Sequence, residues 1–123
     1  MQVPDPELKK IFGKWQWIES SGGFAGKATT PSKEGYIARI EFSNEYMYQL
    51  YRNDTLIDRR KFIFSKDKSI HRDKQVWIIS FAQDTTLEYG PPLPMEVLFQ
   101  GEDTLMLKEK VYDGFSYTYV RMK

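Results

Sequence analysis

The sequence predicts an all-β domain: an eight-stranded antiparallel up-and-down barrel preceded by a short N-terminal helical turn. Three observations carry that expectation. Apolar spacing of the helical kind is confined to residues 6–12. The rest of the chain is a series of short runs rich in aromatic and β-branched residues, cut by Gly, Pro, Asn-Asp and Asp-Gly turn chemistry. The third is the aromatic load of 8 Phe, 8 Tyr and 3 Trp. It makes the chain 41% hydrophobic at a mean hydropathy of -0.57, so the apolar surface sits largely on rings that favour strands and pocket walls.

The elements follow in order. Asp5 is a candidate N-cap and Pro6 a first helical residue for a turn ending near Phe12. Residues 13–20 form the first strand, with Trp15 and Trp17 on one face, and residues 21–35 a long Gly-rich connection. In the second strand, 36–43, Tyr36, Ala38, Ile40 and Phe42 alternate with Ile37, Arg39, Glu41 and Ser43. Turns at 44–45 and 53–54 separate strands 46–52 and 55–65, and the polar stretch 66–74 reads as a loop. Strand 75–82 is apolar on both faces. Pro91-Pro92-Leu93-Pro94 precedes strand 95–100, Gly101-Glu102 leads into 103–109, and Asp113-Gly114 introduces the last strand, 115–122. Consecutive strands joined this tightly pair antiparallel, and closure protects their edges. Residues 1–12 thus read as an N-terminal segment and 13–123 as one barrel domain, a length at which about two thirds of the surface is buried on folding.

Composition excludes several functions. The absence of Cys removes disulfides, thiolate catalysis and Cys-ligated zinc. With 18 Lys plus Arg against 17 Asp plus Glu, the net charge of +1 exerts no global pull on nucleic acid or anionic membrane. Charge is uneven, however: residues 52–74 hold eight Lys or Arg and four Asp, while residues 75–107 hold five acids and no base, which predicts an electrically two-sided molecule with solvated outer faces. No apolar run is long enough for a transmembrane helix. The single histidine, His71, lies in a polar stretch without a nucleophile elbow, and reads as a surface residue. One His and scattered carboxylates make no metal set, and neither metal nor cofactor is expected. Gly22-Gly23-Phe24-Ala25-Gly26-Lys27 has the wrong flanks for a phosphate-binding loop and no helix behind it. The run Arg59-Arg60-Lys61-Phe62-Ile63-Phe64 alternates as core strands do rather than as a nucleic-acid platform.

If Trp15 points inward, strand parity brings a full set with it. The candidate lumen residues are Trp17, Tyr36, Ile40, Phe42, Tyr48, Arg60, Phe62, Phe64, Trp77, Phe99, Tyr117 and Tyr119, accompanied by Leu50, Ile79, Val97, Leu105 and Leu107. A buried Arg60 requires a partner, which by the same parity is Glu19, or the carboxylate of a ligand. Eight strands enclose just enough space for side chains or one small ligand. Two alternatives follow: non-catalytic binding of a small apolar or amphipathic ligand, or a filled barrel serving as a protein-interaction module. A third is a barrel-pocket enzyme of isomerase or decarboxylase type, with Tyr and Arg60 or Glu19 as acid and base.

Gly13-Lys14-Trp15 at the head of the first strand, paired with Arg121 near the end of the last, resembles the lipocalins. The resemblance is closer to the small bacterial lipocalin-like proteins, through 19–26, Tyr112-Asp113-Gly114-Phe115 and Thr118-Tyr119-Val120-Arg121. It covers residues 11–122, although the second and third motifs of the animal proteins are not evident. The resemblance implies that Gly13, Trp15 and Arg121 close the barrel by stacking guanidinium on indole. It further implies that Gly22, Gly23, Phe24 and Gly26 form a lid over the mouth, that the partner is a small hydrophobic ligand, and that the protein is a monomer or weak dimer. The resemblance alone implies an extracytoplasmic location; residues 1–6 do not have the character of a signal peptide, so a leader or lipid anchor is expected only in a precursor.

Overall fold

The computed structural model describes residues 6–22, 27–83 and 92–122. A 3-10 turn, Pro6–Ile11, leads into β1 (Gly13–Gly22), β2 (Lys27–Thr29), the single helical turn α1 (Pro31–Glu34), β3 (Ala38–Phe42) and β4 (Met47–Arg52). Then come β5 (Thr55–Lys68), β6 (Gln75–Phe81), β7 (Met95–Gln100), β8 (Thr104–Glu109) and β9 (Phe115–Arg121). Neighbours in the order β1-β3-β4-β5-β6-β7-β8-β9 pair antiparallel, and β9 pairs back onto β1, which closes an eight-stranded up-and-down barrel.

Three boundaries differ from the sequence reading. The connection 21–35 is not one loop: β2 pairs with Ser20, Ser21 and Gly22 beyond the point where β3 leaves β1, and α1 follows, capped by the Thr30 hydroxyl. β1 extends to Gly22. β5 runs to Lys68 because Ser65, Lys66, Asp67 and Lys68 pair with Ile78, Trp77, Val76 and Gln75, and their polar side chains face solvent without disturbing the ladder.

Alternation delivers the inward face. Trp15, Ile40, Phe42, Phe62, Ile79, Leu105 and Leu107 are almost wholly buried, joined by Leu8 and Ile11 of the 3-10 turn, which plug the barrel base. Phe42 meets Phe62 edge-on at 5.2 Å and Tyr48 at 5.6 Å, and Phe62 meets Phe64 at 5.6 Å, so rings fill the middle of the lumen. At the base, the Arg121 guanidinium lies 4.2 Å over the Trp15 ring. Arg121 donates to the carbonyls of Glu102 and Phe12, each at 3.3 Å, and of Lys10, while the Trp15 indole donates to Ile11 O at 2.9 Å. Gly13 sits beneath at φ +128, where a Cβ would come 3.2 Å from Arg121 Nη1.

One seam is short. β6 and β7 share only the pairs Ile78↔Glu96 and Ile79↔Met95. Glu96, 2% exposed, clamps the β5–β6 loop across this seam: it accepts from the Ser69 hydroxyl at 2.6 Å and from Ile70 N at 3.0 Å. Ser69 Oγ in turn accepts from the amides of His71 and Arg72. This acid therefore adds nothing to an acidic outer face. Glu96→Ala strips two buried donors of their acceptor and is expected to cost about 2–4 kcal/mol in urea unfolding, with Glu96→Gln recovering part of the loss.

Candidate functional site

Where β1 ends and β9 begins, the lumen widens into a cavity of about 240 Å³. Its walls are Trp17, Ser20, Tyr36, Ala38, Tyr48, Leu50, Arg52, Ile57, Pro92, Met95, Tyr117 and Tyr119. Two register shifts shape it. The first lies between Trp17 and Glu19 and turns Ser20 inward, where its hydroxyl accepts from the Trp17 indole at 2.6 Å. The second, between Leu50 and Tyr51, brings Ile57 to the pocket wall. Tyr36 stacks on Trp17 at 5.6 Å and 22°, and the Arg52 guanidinium lies 4.1 Å over the Tyr36 ring. Arg52 makes no ion pair among the described residues.

The phenols are held neutral. Burial pushes the Tyr119 hydroxyl well above its ordinary range, reinforced by Tyr48, Tyr117 and Tyr36. Tyr117 is raised by burial and by the Glu109 carboxylate, to which its hydroxyl donates at 3.2 Å. The described walls hold no carboxylate and no histidine, so the pocket offers hydrogen-bond donors, ring faces and one cation, but no base.

Several sequence-picked residues fall elsewhere. Ile40, Phe42, Phe62 and Phe64 belong to the packed middle of the barrel, and Trp77 and Phe99 line a separate cleft near the base. Arg60 is buried as parity requires, but its partner is Asp58, two residues away: Nε donates to Asp58 Oδ2 at 2.9 Å and Nη1 to Ala82 O at 3.1 Å. Glu19 is not that partner, because the shift after Trp17 rotates it to the outside. Among the described residues, the buried Asp58 Oδ1 has no hydrogen-bond partner. Gly22 is no lid residue: it ends β1, paired with Phe115, at φ +113, and any Cβ would collide with the carbonyl of Gly114. Gly23, Phe24 and Gly26 lie outside the described residues.

Sequence reasoning missed Ser20, Ala38, Ile57, Pro92 and Met95 among the walls, and above all Arg52. The signal was present, since Tyr48, Leu50 and Arg52 share one face of β4 and Ala38 stands opposite Arg52. His71 is exposed, with Nε2 3.1 Å from Glu109 O. No group of three His, Cys, Asp or Glu among the described residues could hold a metal ion, and no described helix is long and apolar enough to cross a membrane. Fold and site together define a closed eight-stranded antiparallel barrel with an aromatic pocket at its mouth. No protein-family model matches the chain, nor does any curated protein or solved structure.

Two outcomes follow from these contacts. Unfolded tyrosine ionises near pH 10, whereas the folded Tyr117 and Tyr119 keep their protons to higher pH. Their contribution to stability is complete below about pH 10 and is lost as pH rises above it, at up to about 1.4 kcal/mol per pH unit for the buried Tyr119 and less for the half-exposed Tyr117, which solvent screens. Urea melts across this range show that slope, and Tyr119→Phe removes one group's share. Arg60→Ala leaves Asp58 buried and unpaired, and is expected to destabilise by about 3–5 kcal/mol in the same assay.

Proposed function

We propose that this barrel holds a small apolar or amphipathic molecule, non-catalytically, in its mouth pocket, as a lipocalin-like binding protein does. The observation that carries the reading is Arg52, a cation without an ion pair among the described residues, laid over Tyr36 at the lip of an otherwise aromatic and aliphatic cavity. A carboxylate or sulfonate at the lip would meet that cation while its apolar body entered between Trp17, Tyr48 and Tyr119. Size limits the ligand. A cavity of about 150 Å³ takes benzene and drug-sized pockets begin near 300 Å³, so about 240 Å³ suits a bicyclic ring or a short acyl chain. An extracytoplasmic location goes with this reading on the sequence resemblance.

Calorimetric titration with naphthalene and naphthoate tests it. Both are expected to bind one molecule per chain, naphthoate about ten-fold tighter, and Arg52→Ala is expected to abolish that difference. Tyr36→Ala weakens both. Absence of saturable binding, or a difference untouched by Arg52→Ala, overturns the reading and leaves the outer faces, with a partner protein, as the place of action.

A further inference from the structure

The basic segment 52–74 acquires a structural meaning once its ion pairs are counted off. Each of its four acids has a cation: Asp54 pairs with Arg39 at 2.7 Å, Asp58 with Arg60 at 2.9 Å, Asp67 with Lys110 at 2.7 Å and Asp73 with Lys68 at 3.1 Å. Two of those cations, Arg39 and Lys110, come from outside the segment. Within it Arg52, Arg59, Lys61, Lys66, Arg72 and Lys74 therefore make no ion pair among the described residues, and of these Lys66, Arg72 and Lys74 stand together. All three line one cleft.

That cleft is the consequence of the short β6–β7 seam. Below the two shared pairs, β6 residues 75–77 and β7 residues 97–99 bound an opening of about 260 Å³ that reaches Leu8, beside the barrel base. The rim is basic. The inner wall is apolar: Leu8 and Val97 are buried, and Trp77 stands between, with Lys66 Nζ 5.1 Å from its ring centre. No residue is shared with the mouth pocket.

We propose that this lateral cleft binds one molecule of an anionic amphipath, with a phosphate- or carboxylate-class head between Lys66, Arg72 and Lys74 and a chain against Leu8, Trp77 and Val97. The cations supply charge-assisted hydrogen bonds that a neutral head cannot match. The apolar wall supplies contact that a bare anion cannot use. The site is independent of the mouth, and either can fail without the other.

Dodecyl phosphate below its micelle concentration is the probe, read by calorimetry and by tryptophan fluorescence, with inorganic phosphate, dodecanol and anionic phospholipid vesicles as comparison arms. The expected result is saturable binding at one molecule per chain, at least about ten-fold tighter than inorganic phosphate or dodecanol. The Lys66→Gln, Arg72→Gln, Lys74→Gln triple variant loses about ten-fold, Trp77→Phe loses the fluorescence change, and Arg59→Gln, an exposed cation of the same segment outside both sites, changes nothing. Lys66→Gln alone, at an exposed position, gives a smaller loss in the same direction and guards against misfolding of the triple variant. Equal binding by the triple variant, an equal loss on Arg59→Gln, binding to vesicles but not to the monomeric probe, or no preference over inorganic phosphate each overturn the proposal.

Discussion

A ribbon of eight antiparallel strands exposes two rows of unpaired backbone groups unless its first and last strands meet, and here they meet through seven register pairs between β1 and β9. Arg121 makes that meeting specific. One guanidinium gathers carbonyls from the 3-10 turn, from Phe12 and from the β7–β8 turn while stacking on Trp15. A lysine in its place would offer a point charge without the planar fork that serves three carbonyls and a ring together. Gly13 is required beneath it because a Cβ would press on Nη1.

The interior divides into a filled half and an open half, and the division follows side-chain size. Toward the base, Phe42, Phe62, Phe64, Leu105 and Leu107 meet one another and the plug residues Leu8 and Ile11, leaving a packed core. Toward the mouth, Ala38 and Ser20 stand where larger residues would close the space. The pocket thus owes its volume to two small residues and two register shifts as much as to its rings. Its polarity comes from hydroxyls kept neutral by their own burial.

Much of this was legible in the sequence. Alternation placed the inward face of β3, where Ala38, Ile40 and Phe42 take turns with Arg39 and Glu41, and parity carried it to Phe62 and Phe64 of β5, Leu105 and Leu107 of β8, and Tyr117 and Tyr119 of β9. The pairing of Trp15 with Arg121 came from the sequence resemblance, and the guanidinium does lie over the indole. What escaped has a common physical origin. A β-bulge changes parity without leaving a compositional mark, so Glu19 was read as inward when Ser20 takes that place. Arg52 was overlooked because a charged residue beside a turn reads as solvated, although strand spacing put it on the lumen side. The β6–β7 opening was invisible for a third reason: how far two strands stay paired depends on the shape of the whole barrel, not on either strand's residues.

The stitch between Arg121 and Lys10 spans 111 residues. Contacts of such separation form late, after the loop-closure cost of everything between them has been met. During synthesis on a ribosome, β1 to β8 are made before the strand that completes them. Through that interval the pairs that β9 makes with β1 and with β8 cannot form. The ninth strand is therefore the protein's own chaperone in timing: its arrival ends the period in which neighbouring nascent chains could pair edge to edge.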